Sequence, residues 1–125
     1  MRIGIVEDST TERLALKNKL KKLDYRVIFE AADGSEGLIK SRKLLPDVVL
    51  MDVLMPEMNG YQCVRNMRQE KSLKDIPVIY ITSKNSPVDR EWGLRQGASG
   101  YLAKPVNDKE LKVELEKVAG KLEQA

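Results

Sequence analysis

Histidine is absent from the 125 residues. Its absence removes any His-based triad, any imidazole metal ligand and any internal phosphohistidine. Cysteine occurs once, at Cys63, so no intramolecular disulfide forms and a reducing, cytoplasmic setting is expected. No apolar stretch approaches the roughly 20 residues that span a bilayer. The opening Met1-Arg2-Ile3-Gly4-Ile5-Val6-Glu7-Asp8 turns acidic after a short apolar run and offers no signal-peptide core. A membrane partner is therefore not expected. A charge excess of one sign is also missing: the formal net charge is +3, with Lys and Arg mixed among Asp and Glu. That is too little to argue for direct binding of nucleic acid.

What remains is an ordinary water-soluble composition, 42% hydrophobic and 33% charged. The length suits one domain with a core large enough to fold without metal or disulfide staples. Five short apolar runs read as strands: Ile3–Val6, Tyr25–Phe29, Val48–Met51, Val78–Ile81 and Gly100–Leu102. Their continuous β-branched character favours a parallel sheet covered on both faces, with the polar-starting second run as an edge.

Helices are predicted between them. The first is capped by Ser9-Thr10-Thr11-Glu12 and sets Leu16, Leu20 and Leu23 on one face. The second runs from Gly34 to Leu45 with Leu38 and Leu45 inward, stopping before Pro46. The third spans Gly60 to Glu70, and the fourth runs from Pro87 to Gln96 with proline in its first turn. The last is capped by Asn107-Asp108-Lys109-Glu110 and carries the stripe Leu111, Leu115, Val118 and Leu122. Strict alternation of strand and helix implies a doubly wound α/β fold with right-handed crossovers. There are no repeats or linkers, and the expected organisation is one domain over residues 1–125 without an effector domain.

In such a sheet, ligands bind beyond the carboxyl ends of the strands. Glu7 and Asp8 follow the first strand, Asp52 the third, Thr82 and Ser83 the fourth, and Lys104-Pro105 the fifth. Three carboxylates, a hydroxyl and an ammonium thus converge on one rim. Clustered carboxylates repel unless a cation or proton lies between them, and an incomplete cage of hard oxygens suits Mg²⁺. A carboxylate can also attack phosphorus to give an aspartyl phosphate. Mg²⁺ and a lysine would then neutralise the transferring group, and a threonine hydroxyl could hydrogen-bond it.

These pieces resemble the receiver domains of bacterial response regulators over nearly the whole chain. The matching motifs are Ile5-Val6-Glu7-Asp8-Ser9, Pro46-Asp47-Val48-Val49-Leu50-Met51-Asp52, Met55-Pro56-Glu57-Met58-Asn59-Gly60, Ile81-Thr82-Ser83, and Gly97-Ala98-Ser99-Gly100-Tyr101-Leu102-Ala103-Lys104-Pro105. The resemblance implies a five-stranded parallel sheet in the order 2-1-3-4-5, with helices on both faces. It implies Asp52 as phosphoacceptor and Mg²⁺ held by Glu7, Asp8, Asp52 and the backbone carbonyl of Leu54. Thr82 and Tyr101 look like a switch pair, Lys104 like the phosphate-contacting lysine, and the Lys104-Pro105 bond is expected to be cis. The partners it implies are a histidine kinase or phosphotransfer protein and a downstream protein on the fourth helix–fifth strand–fifth helix face. Trp92-Gly93-Leu94-Arg95-Gln96-Gly97-Ala98 is similar to small regulators of twitching-pilus and chemotaxis-like systems. Departures are Glu7, where many relatives carry Asp, and Leu54 and Lys84 at two positions that tune dephosphorylation in the family.

Plainer roles exist for single residues. Glu7 and Asp8 precede a helix N-terminus, where carboxylates are favoured anyway. Thr82 suits a strand-end cap and Tyr101 suits core packing. Cys63 reads as a small buried hydrophobe, and Met55, Met58 and Met67 as packing. Lys17, Lys19, Lys21 and Lys22 read as a solubilising face, while Trp92 is either an amphipathic filler or a partner anchor. Among competing functions, a haloacid-dehalogenase-type phosphatase needs a second Asp two residues after the nucleophile, where this chain has Leu54. A nucleotide-binding domain needs glycines at the first strand–helix junction, which here reads Val6-Glu7-Asp8-Ser9-Thr10. A DNA-binding regulator would need a second domain. The expectation is a signalling protein rather than an enzyme turning over an external substrate.

Overall fold

The computed structural model describes residues 1–124. The apolar runs pair as five parallel strands: β1 (Arg2–Val6), β2 (Arg26–Ala31), β3 (Val48–Met51), β4 (Val78–Thr82) and β5 (Gly100–Ala103). They stand in the expected order β2-β1-β3-β4-β5. Between them lie α1 (Thr10–Lys22), α2 (Gly34–Leu44), α3 (Gly60–Gln69) and α4 (Pro87–Arg95), and α5 (Asp108–Gln124) follows the last strand. The chain leaves β1 outward to the β2 edge, then returns past β1 to β3. Their carboxyl ends therefore face the point where the strand order reverses.

Strand side chains alternate between two layers. Ile3, Ile5, Val48, Leu50, Ile79 and Ile81 pack with Leu16 and Leu20 of α1 and with Leu111, Leu115 and Val118 of α5. On the opposite face, Val6, Val49, Met51, Val78 and Tyr80 pack with Leu38 of α2 and with Tyr61, Cys63, Val64 and Met67 of α3. Burial pushes the Cys63 thiol up to about 12, and the side chain packs as the small hydrophobe it was expected to be. Met55 and Met67 are buried as well.

Caps set the helix starts beside the rim. Asn59 and Gln62 close a reciprocal cap on α3, and Ser86 and Asp89 close one on α4 with Pro87 at its first position. Gly60 allows α3 to begin against the end of β3: a Cβ there would stand 2.5 Å from the Asp52 carbonyl oxygen. Gly93, within α4, lets that helix pack closely on β5, where a Cβ would meet the Tyr101 ring at 2.6 Å.

Some expectations need correction. Leu45 does not point inward. It caps α2 in the left-handed region (φ 47) and is 48% exposed, with Leu44 packed on the core instead. Leu122 is 39% exposed, because the last turns of α5 run beyond the buried stripe that ends at Val118. β2 begins at Arg26, one residue later than expected, and runs on to Ala31 along the sheet edge. The lysine face of α1 is not simply solvated: Lys17 pairs with Glu30 at 3.0 Å and Lys19 with Asp108 at 2.5 Å. Among the described residues, no helix is long and apolar enough to cross a membrane.

Candidate functional site

The sheet ladder itself places the first two carboxylates. Glu7 and Asp52 continue the β1 and β3 pairing by one residue each, through Glu7 N–H to the Ala31 carbonyl at 2.9 Å and Asp52 N–H to the Val6 carbonyl at 3.0 Å. Both side chains are buried. On the other side of β3, Lys104 N–H donates to the Thr82 carbonyl at 2.9 Å, and the Lys104-Pro105 bond is cis, as expected.

Lys104 binds the carboxylates together. Its Nζ donates to Asp52 Oδ2 at 2.6 Å and to Glu7 Oε1 at 2.5 Å, and it also pairs with Glu12. The other Asp52 oxygen accepts from the Leu54 N–H at 3.0 Å. One oxygen each from Glu7, Glu12 and Asp52 lie within 4.8 Å of one another. Asp8, expected among the cation's ligands, follows Glu7 but is exposed and is not one of these three. The third carboxylate of the cluster is Glu12. The sequence offered one signal for it, a further carboxylate in the first turn after the acidic strand end, but that position is favoured for a capping Glu in any case.

Burial drives the Glu7 carboxyl up to about 7; the Lys104 and Ser9 hydrogen bonds pull against that, and the charge of Asp52 adds to the rise. Burial also disfavours the Lys104 ammonium, but its hydrogen bonds to Asp52, Glu12 and Glu7 outweigh this and hold it above the ordinary lysine range. Lys104 therefore stays charged, and Glu7 sits where its ionised form calls for more positive charge than one ammonium supplies. Hard oxygen donors, two of the three carboxylates buried, fit a small divalent cation that keeps several of its waters.

Thr82 and Tyr101 meet at a residue between them. The buried Thr82 Oγ1 accepts from the Lys84 N–H at 3.2 Å, and the Tyr101 hydroxyl donates to the Lys84 carbonyl. Tyr101 is 2% exposed and also lies 3.2 Å, hydroxyl to hydroxyl, from Tyr61. Tyr61 in turn donates to the Asp89 carbonyl of α4 at 3.3 Å. Tyr80 sits edge-on to both rings, with centroids 5.4 and 5.5 Å away. The Tyr61 and Lys84 contacts were not expected from the sequence, since an aromatic after Asn59-Gly60 reads as core. Trp92 is 49% exposed on α4, beside the exposed Val88.

A doubly wound sheet with an acidic, lysine-bridged rim at its switch point is the arrangement expected of a receiver. The chain belongs to the response regulator receiver domains, whose family model matches residues 3–116, and it is a receiver of two-component signalling. Among particular proteins, it is similar to Protein PilH of Pseudomonas aeruginosa, with 44% identity over 110 residues, 88% of this chain and 90% of that one. Chemotaxis protein CheY1 of Helicobacter pylori is 36% identical over 121 residues, 96% of this chain and 98% of CheY1. Against the probable transcriptional regulator ycf27 of Porphyra purpurea, 37% identical, the chain spans 46% of that protein's length. A solved receiver domain of a sensor histidine kinase from Pseudomonas aeruginosa superposes with a TM-score of 0.86 at 32% identity, covering 95% of this chain and 97% of that one. That structure has a magnesium ion coordinated in its active-site cleft.

Proposed function

We propose that Asp52 accepts a phosphoryl group from a phosphohistidine donor and that the modified domain signals through protein contact. The observation that carries this reading is the state of Asp52: buried, one oxygen held by the Leu54 N–H and the other by Lys104, with Glu7 beside it. In the transfer, a carboxylate oxygen of Asp52 forms the new O–P bond. The donor's P–N bond breaks, and its electron pair stays on the imidazole, which takes up a proton. Lys104 is placed to pair with the arriving phosphoryl oxygens. Mg²⁺, when bound, supplies charge neutralisation to that group; Glu7 and Asp52 would hold it, joined by Asp8 and the Leu54 carbonyl if the family pattern carries over.

The added group carries about −1.5 to −2 charge. A Thr82 hydroxyl drawn to it leaves the Lys84 N–H, and the same residue's carbonyl holds Tyr101. The proposed output surface is the α4–β5–α5 face, where Val88 and Trp92 are exposed. The similarity to Protein PilH and to chemotaxis protein CheY1 favours a regulator in motility control. Intact-mass measurement after acetyl phosphate treatment tests the reading. The expected result is one added phosphoryl, lost in Asp52→Asn and in EDTA; labelling undiminished in either overturns it.

A further inference from the structure

Glu12 is the one carboxylate on Lys104 that the transfer reaction leaves without a role. Ser9-Thr10-Thr11-Glu12 has the spacing of a reciprocal cap, in which the Glu side chain turns back to the N–H of the capping Ser. Only half of that cap forms. Ser9 Oγ accepts from the Glu12 N–H at 3.3 Å, but the Ser9 N–H is taken by Glu7 Oε2 at 3.1 Å. On α3 and α4 the reciprocal caps close in full. The Glu12 side chain is thus released from its own helix and crosses to Lys104, 92 residues away in the chain.

The three partners of Lys104 differ in exposure. The Glu12 side chain is 50% exposed, whereas those of Glu7 and Asp52 are each 6% exposed. When all three are ionised, one ammonium leaves two negative charges uncompensated, the charge of one divalent cation. Such a cation and the Lys104 ammonium draw on the same two carboxylates, Glu7 and Asp52, and two positive centres so close repel each other. Lysine has the flexible stem to give way, and Glu12 is the partner on the solvent side that it can keep.

We propose that Glu12 is a positioning residue that retains the Lys104 ammonium when a divalent cation takes Glu7 and Asp52. The inference rests on the reading of this rim as a cation and phosphoryl site. Glu12 lowers the cost of cation entry by giving the displaced ammonium a partner, and it holds Lys104 at the mouth of the site.

Titration calorimetry of MgCl₂ into the unphosphorylated protein tests this, using wild type, Glu12→Gln, Lys104→Ala and the double variant at one pH and low ionic strength. Glu12→Gln weakens Mg²⁺ binding about tenfold in the wild-type background, from the combined loss of a nearby charge and of the ammonium's partner. In the Lys104→Ala background the same change costs less than about twofold, since no ammonium needs a partner. Glu12→Ala provides an independent variant, with thermal melts to verify folding. Equal losses in the two backgrounds reduce Glu12 to a general field and overturn the proposal, as does unchanged affinity in Glu12→Gln. No Mg²⁺ binding by wild type overturns the reading of the rim itself, and the inference with it.

Discussion

The two layers that cover the sheet are made of different material. The buried hydrophobic cluster on the α1/α5 side is made of Ile, Leu and Val. The α2/α3/α4 side buries Tyr61, Tyr80 and Tyr101 together, and their hydroxyl bonds to Tyr61, Lys84, Asp89 and Gly60 join α3, β4, α4, β5 and the loop at Lys84. An aliphatic layer has many equivalent contacts and nothing directional to break. A hydrogen-bonded aromatic layer has discrete arrangements, because each hydroxyl must find a partner when buried. Under the proposed function, signalling falls to the aromatic face and bulk stability to the aliphatic one, with Asp52 at the end of the strand between them.

The comparison breaks first where the predicted effect is largest. Leu115→Ala deletes a fully buried side chain from the aliphatic layer and is expected to cost about 2–5 kcal/mol in urea unfolding. Labelling of Asp52 by acetyl phosphate should stay at the wild-type level under native conditions. A folded Leu115→Ala that cannot be labelled would put signalling on both faces. On the other layer, Gly93→Ala drives a methyl to 2.6 Å from the Tyr101 ring. The expected cost is about 1–3 kcal/mol from overpacking, with amide shifts confined to α4, β5 and the Tyr61 end of α3.

Much of the rim, but not this division, could be read in the sequence. Asp52, Glu7, Thr82 and Lys104 were legible because a strand end in a parallel sheet is a place as well as a residue. Glu12 was not, since a Glu three residues after Ser9 has a sufficient local reason to be there. Only the diversion of the Ser9 N–H to Glu7 frees it. Leu45 and Leu122 carried the right spacing for burial, but spacing does not tell where the neighbouring sheet stops. The tyrosine network needed three dimensions, because Tyr61, Tyr80 and Tyr101 come from three different elements.

Smaller changes sharpen the contrast. Tyr61→Phe removes one partner of the Tyr101 hydroxyl and leaves the Lys84 carbonyl. A loss of about 1 kcal/mol in urea is expected, and the Tyr101 ring signals should broaden or shift while those of α1 and α5 do not. Cys63 is expected to give the smallest effect. Its thiol is raised from 9.0 to about 12 by burial, so between those pH values the unfolded chain loses a proton that the folded chain keeps. The stability it contributes is whole below pH 9.0 and falls as the pH rises toward 12. Iodoacetamide at pH 8 should accordingly leave the native thiol unmodified and react on unfolding.

The central claim is that the aromatic layer alone relays the state of Asp52. Backbone amide shifts recorded with and without beryllofluoride and Mg²⁺, in wild type and in Thr82→Ala, test it most directly. In wild type, the shifts should run from the Asp52 rim through Lys84 and Tyr101 into α4, leaving the buried stripes of α1 and α5 unmoved. In Thr82→Ala they should stop at the rim. Shifts that reach Tyr101 and α4 equally in Thr82→Ala, or that spread through Leu111, Leu115 and Val118 in wild type, would contradict the account.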